Sequence, residues 1–190
     1  TKSIIMKKLE VFGATKLNGQ IKISGSKNAS LPILASTLLS DKKISLTNLP
    51  RVKDVETMIK LLESMGSKVK VSKNKNTLVI KNDKKIKTEA SYNLMSTMRA
   101  GIIVLGPLLA RFGKARVSSP GGCNIGFRPI DIHLEALKKM GVKYKIIDGY
   151  INANAKNGLV GAKIKFPKIS VGATENLMIA ACLAKGQTVL

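Results

Sequence analysis

The sequence predicts an α/β fold assembled from repeated strand–helix–strand–helix–strand–strand (βαβαββ) units, with the third unit incomplete. Two observations predict it. The chain is similar to itself at a fixed spacing: Ser26 aligns with Ser170, Ala29 with Ala173 and Leu39 with Leu183, each pair 144 residues apart, with a middle copy between them. Each copy also passes from a helical apolar pattern to short alternating stretches, the mark of mixed elements that bury their apolar faces on one another.

Taken in order, copy one opens with a helix over 26–39 and a short strand over 40–46. Copy two places the same pair at 95–109 and 110–118, and copy three at 170–183 and 184–190. Copies one and two continue into a second helix, 54–65 and 131–140, followed by Gly66 and Gly141. A glycine there takes the left-handed turn that ends a helix at little steric cost. Strands close both units, at Lys68–Val71 and 78–81 in the first and at Lys143–Ile147 and 150–153 in the second. Copy three stops after its first helix and strand. Repeat folds bury their core between neighbouring units, so this one is expected to leave apolar surface uncovered. The chain therefore reads as a truncated piece of a longer protein; the other reading is a short form whose edge a partner caps.

Composition narrows the class. With 190 residues and 44% hydrophobic content, the chain can bury a core. It carries 33 Lys+Arg against 11 Asp+Glu, a net +22, but the lysines are dispersed and only 4% of residues are aromatic, poor material for stacking on bases. One histidine, His133, and no C-x-x-C pair leave little for a transition metal, and nothing calls for a cofactor. His133 lies on an amphipathic helix and reads as structural rather than as a general base. Cys182 sits in an apolar run and reads as a buried helix residue. The longest apolar stretch, 100–110, is interrupted by Gly101, Gly106 and Pro107 and is shorter than the ~20 residues a bilayer span needs. No signal-peptide pattern opens the chain, and a cytoplasmic location is expected.

The repeat also supplies a control for the other cysteine. From the end of the first strand to the Met of Met-Gly, copy one runs from Leu46 to Met65, whereas copy two runs from Val117 to Met140, four residues longer. The extra length falls in Gly-Gly-Cys-Asn-Ile-Gly-Phe-Arg (121–128), which displays Cys123 and Arg128 on a loop that neither helix nor strand accommodates. A regular scaffold has no need of such a loop, whereas an active-site lid does; the plain alternative is a surface turn with an incidental cysteine. Basic residues recur near helix starts: Lys27 beside Asn28, Arg99, Arg128, and Lys168 leading into Ser170-Val171-Gly172. Helix N-termini carry N–H groups without intrahelical partners and a partial positive charge, so these positions suit phosphate or carboxylate if they converge.

The segments Gly-Ser-Lys-Asn-Ala-Ser-Leu-Pro-Ile-Leu (25–34), Thr-Met-Arg-Ala (97–100), Gly-Pro-Leu-Leu-Ala-Arg-Phe-Gly (106–113), Pro-Gly-Gly-Cys-Asn-Ile-Gly-Phe-Arg-Pro-Ile-Asp (120–131) and Ser-Val-Gly-Ala-Thr (170–174) closely resemble the UDP-N-acetylglucosamine 1-carboxyvinyltransferases. The resemblance runs from about Thr15 to the end of the chain, with the cysteine loop as its most specific element. It implies the inside-out α/β barrel of the enolpyruvate transferases and RNA 3′-terminal phosphate cyclase-like proteins. Two such domains flank the active site. Residues 21–190 would be the catalytic-loop domain, truncated in its third repeat, and residues 1–20 would belong to the otherwise absent second domain.

The implied reaction transfers the enolpyruvyl group of phosphoenolpyruvate to the 3′-hydroxyl of UDP-N-acetylglucosamine and releases phosphate, the first committed step of peptidoglycan biosynthesis. By the same resemblance Cys123 is the general acid toward the methylene carbon and the position that fosfomycin alkylates. Lys27, Arg99 and Arg128 hold phosphoenolpyruvate. Asn28, Arg99, Arg128, Pro129, Ile130, Asp131, Ile132, Lys168, Ser170, Val171 and Gly172 contact the UDP-sugar, with Ile130 and Ile132 replacing the commoner Val and Leu. No metal, nucleic acid or membrane is implied. The aspartate that takes the proton from the sugar belongs to the missing domain, so this piece alone is expected to be inactive. Two other readings stand beside this one: a basic nucleic-acid-binding module, marked by steep salt dependence, and a non-catalytic remnant that binds neither substrate.

Overall fold

The computed structural model describes residues 9–14, 16–72, 77–119 and 130–190. Copy one consists of α1 (Lys27–Ser36), a 3-10 turn Thr37–Leu39, β1 (Ile44–Thr47), α2 (Lys53–Ser64), β2 (Lys68–Val71) and β3 (Thr77–Lys81). Copy two consists of β4 (Glu89–Ala90), α3 (Tyr92–Met95), a 3-10 segment Arg99–Val104, α4 (Leu105–Phe112), β5 (Lys114–Ser118), α5 (Asp131–Lys139), β6 (Lys143–Ile147) and β7 (Tyr150–Asn154). Copy three contributes α6 (Val171–Ala181). The predicted stops hold: Gly66 has φ +105° and Gly141 φ +91°, just past α2 and α5.

The strands form two sheets, ordered β1-β3-β2 and β4-β5-β7-β6. All pairings are antiparallel except β4 with β5. Register puts Ile44, Leu46, Leu78, Ile80 and Val69 on one face of the first sheet and Lys68, Lys70 and Lys81 on the other. In the second sheet Val117 pairs with Ile151 and Ala115 with Ala153, while Arg116 and Lys145 flank Asn152 on the opposite face. Among the described residues, of the twelve largest fully buried side chains only Ile80 belongs to a strand. The core is therefore made by helices, with the sheets outside them and lysines on the outer sheet faces. This is the inside-out arrangement, open rather than closed into a barrel.

Three local expectations change. The single helix expected over 95–109 is broken into α3, the 3-10 segment and α4. A β-carbon on Gly101 would collide with the Met95 sulfur, and Pro107 has no N–H to continue the ladder. The strand expected over 184–190 is reduced to two parallel bridges, Val160 with Lys185 and Lys163 with Val189. They repeat the parallel contact of β4 with β5. Cys182 is exposed, not buried: it caps the C-terminal end of α6, its thiol donating to the Met178 carbonyl at 3.4 Å. Residue 182 falls on the helix stripe of Val171 and Met178, both exposed, whereas Ala173, Asn176, Leu177 and Ala180 face the core.

Between Leu9 and Ile23 the described residues form no regular element, and Leu9, Phe12, Leu17 and Ile21 are each at least 86% exposed. An internal buried link compensates for the break between α1 and the turn after it: Asn82 donates to the Thr37 carbonyl at 2.6 Å and accepts from the Ser67 hydroxyl at 2.6 Å.

Candidate functional site

The site is built on helix starts. Ser26 is extended (φ −72°, ψ 129°) and accepts from the Ala29 N–H at 3.3 Å, which starts α1 at Lys27 and Asn28. Ser170 repeats this at α6: its side chain accepts from the Ala173 N–H at 3.3 Å, and the Thr174 hydroxyl returns to the Ser170 carbonyl at 2.9 Å. The cap satisfies the third amide of the helix. The amides of Val171 and Gly172, like those of Lys27 and Asn28, have no intrahelical acceptor and present donors to an anion. Lys168 is exposed just ahead of the α6 turn, and Val171 is 69% exposed.

Ile130 caps α5, followed by exposed Asp131 and buried Ile132. One turn into α5, the His133 ring reaches the start of α6: its Cε1 lies 3.7 Å from where a β-carbon on Gly172 would stand. The structure thus brings 130–132 and 170–172 together. α1 packs on α2 and also on α6. Lys27 at the head of α1 pairs with Asp54 on α2, Nζ to Oδ2 3.1 Å, with both side chains about half exposed (49% and 40%). Arg99 opens the 3-10 segment, which packs on α1 and α6. Cys123, Arg128 and Pro129 lie outside the described residues.

His133 is 7% exposed, and burial holds its pKa down to about 4, against a weaker upward pull from the Asp131 carboxylate. It is neutral at pH 7 and accepts at Nδ1 from the Asn176 amide at 3.1 Å. This agrees with its structural assignment. Sequence reasoning passed over Asn176, a fully buried polar residue in the apolar run of α6; its one signal was an amide in the middle of a helix whose neighbours are apolar. Asp131 and Ile132, with Glu135, Lys139, Phe166 and Pro167, line a cleft of about 90 Å³. A wider hollow of about 500 Å³ by Ser64, Lys87 and Ser91 holds none of the predicted residues. Among the described residues no group of three or more His, Cys, Asp or Glu gathers to hold a metal, and no helix is long and apolar enough to cross a membrane.

Chemically, then, the described part offers backbone donors at two helix starts, nearby lysines and a neutral buried histidine. That set is suited to an anionic ligand; among the described residues it holds no acid or base poised at a reacting atom. Comparison with known proteins gives the family and the fold. The family profile of EPSP synthase (3-phosphoshikimate 1-carboxyvinyltransferase) matches residues 11–190. A UDP-N-acetylglucosamine 1-carboxyvinyltransferase of Pelagibacter ubique is 74% identical over 97% of this chain, which spans 44% of that relative's length. The enzyme of the same name from Sulfurovum sp. is 54% identical over 97% of the chain and 43% of its own length. Among solved structures, the enolpyruvyl transferase NikO from Streptomyces tendae superposes with a TM-score of 0.76 at 18% identity, over 93% of this chain and 41% of that one. EPSP synthase from Acinetobacter baumannii gives a TM-score of 0.66 at 17% identity, over 90% and 39%. These two establish the fold. The chain spans less than half the length of the relatives it matches.

Proposed function

Since the chain belongs to the EPSP synthase family, we propose that it carries the nucleotide-sugar half of a UDP-N-acetylglucosamine 1-carboxyvinyltransferase site. The whole protein transfers enolpyruvate from phosphoenolpyruvate to the sugar 3′-hydroxyl in peptidoglycan biosynthesis. The observation that supports this reading is the meeting of 130–132 with 170–172 at the starts of α5 and α6. The Val171 and Gly172 amides with Lys168 suit a diphosphate, and Asp131, Ile132 and Asn28 complete the UDP-sugar contacts. Lys27 and Arg99, joined by Arg128, take the carboxylate and phosphate of phosphoenolpyruvate. Releasing Lys27 to a substrate exchanges one carboxylate partner, Asp54, for another anion. Cys123 delivers the proton to the methylene carbon. A thiol beside such cations is the stronger acid for that transfer, and once it has given up its proton it is a reactive thiolate.

Residues 1–20 pack with a second domain that supplies the base for the hydroxyl. The bare apolar side chains between Leu9 and Ile23 fit a segment whose packing partner lies elsewhere. Alkylation by fosfomycin, read residue by residue by mass spectrometry with and without UDP-N-acetylglucosamine, tests the half-site. Cys182 is exposed and serves as the internal reference. The expected result is faster labelling of Cys123 than of Cys182, accelerated further by the nucleotide sugar. Equal labelling of the two thiols, indifferent to the sugar, rejects the reading for this chain.

A further inference from the structure

We propose that His133 and Asn176 are positioning residues that lock the entrances of α5 and α6 into one register, so that both present their ligand-facing backbone to the same nucleotide sugar. The proposal rests on the function proposed above for those entrances. Asn176 is 0% exposed and uses every hydrogen-bonding group of its side chain. Its Oδ1 accepts from the Gly106 N–H at 2.8 Å. Its Nδ2 donates to the Ile102 carbonyl at 3.3 Å and to His133 Nδ1 at 3.1 Å. One amide thus joins three segments: the break between the 3-10 segment and α4, the first turn of α5, and α6 itself.

The two halves of that hub have separate duties. Gly106 lies in the first turn of α4, where no cap side chain serves the helix, so Asn176 Oδ1 satisfies a buried donor stranded by the break. The bond to His133 is not required for that. A core position that only filled space would take an apolar residue with no polar atom to satisfy. Here the ring is anchored by an acceptor bond at Nδ1, which puts the proton on Nε2 and fixes the ring plane. Its Cε1–Nε2 edge lies 3.7 to 3.8 Å from the β-carbon position of Gly172. The tethered ring therefore stands between Ile130–Ile132 and Ser170–Gly172. A polar tether from the first turn of α5 to the second turn of α6 gives a single arrangement where an apolar contact would allow sliding.

The test compares His133→Asn, whose Oδ1 can stand where Nδ1 stood, with His133→Leu, which fills the space without an acceptor. Three measurements are made on the whole chain: stability to urea, hydrogen exchange of the Ala173, Thr174 and Leu134 amides, and UDP-N-acetylglucosamine affinity by calorimetry. Packing alone predicts that Leu is the better replacement in every measurement. Positioning predicts that the Leu variant, even if it is as stable as the Asn variant, exchanges these amides faster and binds about tenfold more weakly, with Asn restoring both. Wild-type affinity and exchange in the Leu variant overturn the proposal. If the unaltered chain does not bind the nucleotide sugar, the reading of function fails for this chain. Exchange at the three amides then decides the proposal alone: faster in Leu and restored in Asn upholds the lock, and no difference rejects it.

Discussion

The helices α1 and α6 occupy the same place in two copies of the repeat, yet they sit differently in the molecule. Their starts are alike in detail. Ser26 and Ser170 cap with the same bond, and the residue four further on, Ser30 or Thr174, returns its hydroxyl to the cap carbonyl at 2.7 and 2.9 Å. Beyond the first turn they diverge. Leu34 is buried and its counterpart Met178 is 57% exposed, while Ile33 is 46% exposed and its counterpart Leu177 is buried. The buried stripe has rotated by about one residue, because α1 leans on α2 whereas α6 is surrounded by α4, α5, α1 and the 3-10 segment. Local chemistry travels with the repeat, and the packing surface is set by the neighbours each copy meets.

That contrast is sharpest at residues 32 and 176, which are also repeat-related. Asn176→Ala strands the Gly106 N–H and His133 Nδ1 in the core, while the Ile102 carbonyl keeps the Leu105 N–H, and is expected to cost about 3 kcal/mol. Pro32→Ala, inside α1 but with no such network, restores an N–H to the helix ladder and is expected to leave stability unchanged or raise it, by up to about 3 kcal/mol. Urea unfolding of the two variants checks the pair; similar losses would mean that the two helices are used alike after all.

The second way to sharpen the comparison is pH. His133, present at the α6 end and without a counterpart at α1, has its folded pKa lowered from 6.5 to about 4 by burial. The unfolded chain therefore binds the extra proton first. The stabilisation from keeping this ring neutral is whole above pH 6.5 and is lost progressively as pH falls toward 4, roughly 3 kcal/mol in all. Stability profiles of wild type and His133→Asn, subtracted from one another, isolate it; a flat difference between pH 7 and 4 refutes the assignment.

The smallest effect belongs to α1. Asp54→Asn removes the half-exposed partner of Lys27 and should cost less than about 1 kcal/mol, as surface pairs do. A larger loss in thermal unfolding would show that the pair braces α1 in a way that solvent-screened charges do not.

Much of this was legible in the sequence, for reasons the same comparison explains. Met-Gly stops and alternating strands are local signals, and α2, α5, β2, β3, β6 and β7 fall within a residue or so of where the sequence placed them. The family, too, could be read from short motifs. What was not legible depends on distant partners. The break at 96–104 follows from a glycine beside a methionine sulfur and from an N–H claimed by a residue seventy positions later. The exposure of Cys182 follows from which stripe of α6 its neighbours left uncovered. Of the site, the starts of α1, α5 and α6 came out as helix ends, as expected, but that α5 and α6 meet through His133 required the fold.

The bare stretch from Leu9 to Ile23 bears on how the molecule behaves in a tube. Leu9, Val11, Phe12, Leu17, Ile21 and Ile23 are 82 to 92% exposed on a chain of net charge +22, so each copy repels its fellows while offering them an adhesive ribbon. Salt tips that contest. At 0.1 M the repulsion reaches only about 10 Å, whereas the attraction between apolar ribbons is not screened at all. The colloidal optimum for this chain is expected at low ionic strength, where light scattering should find the least association.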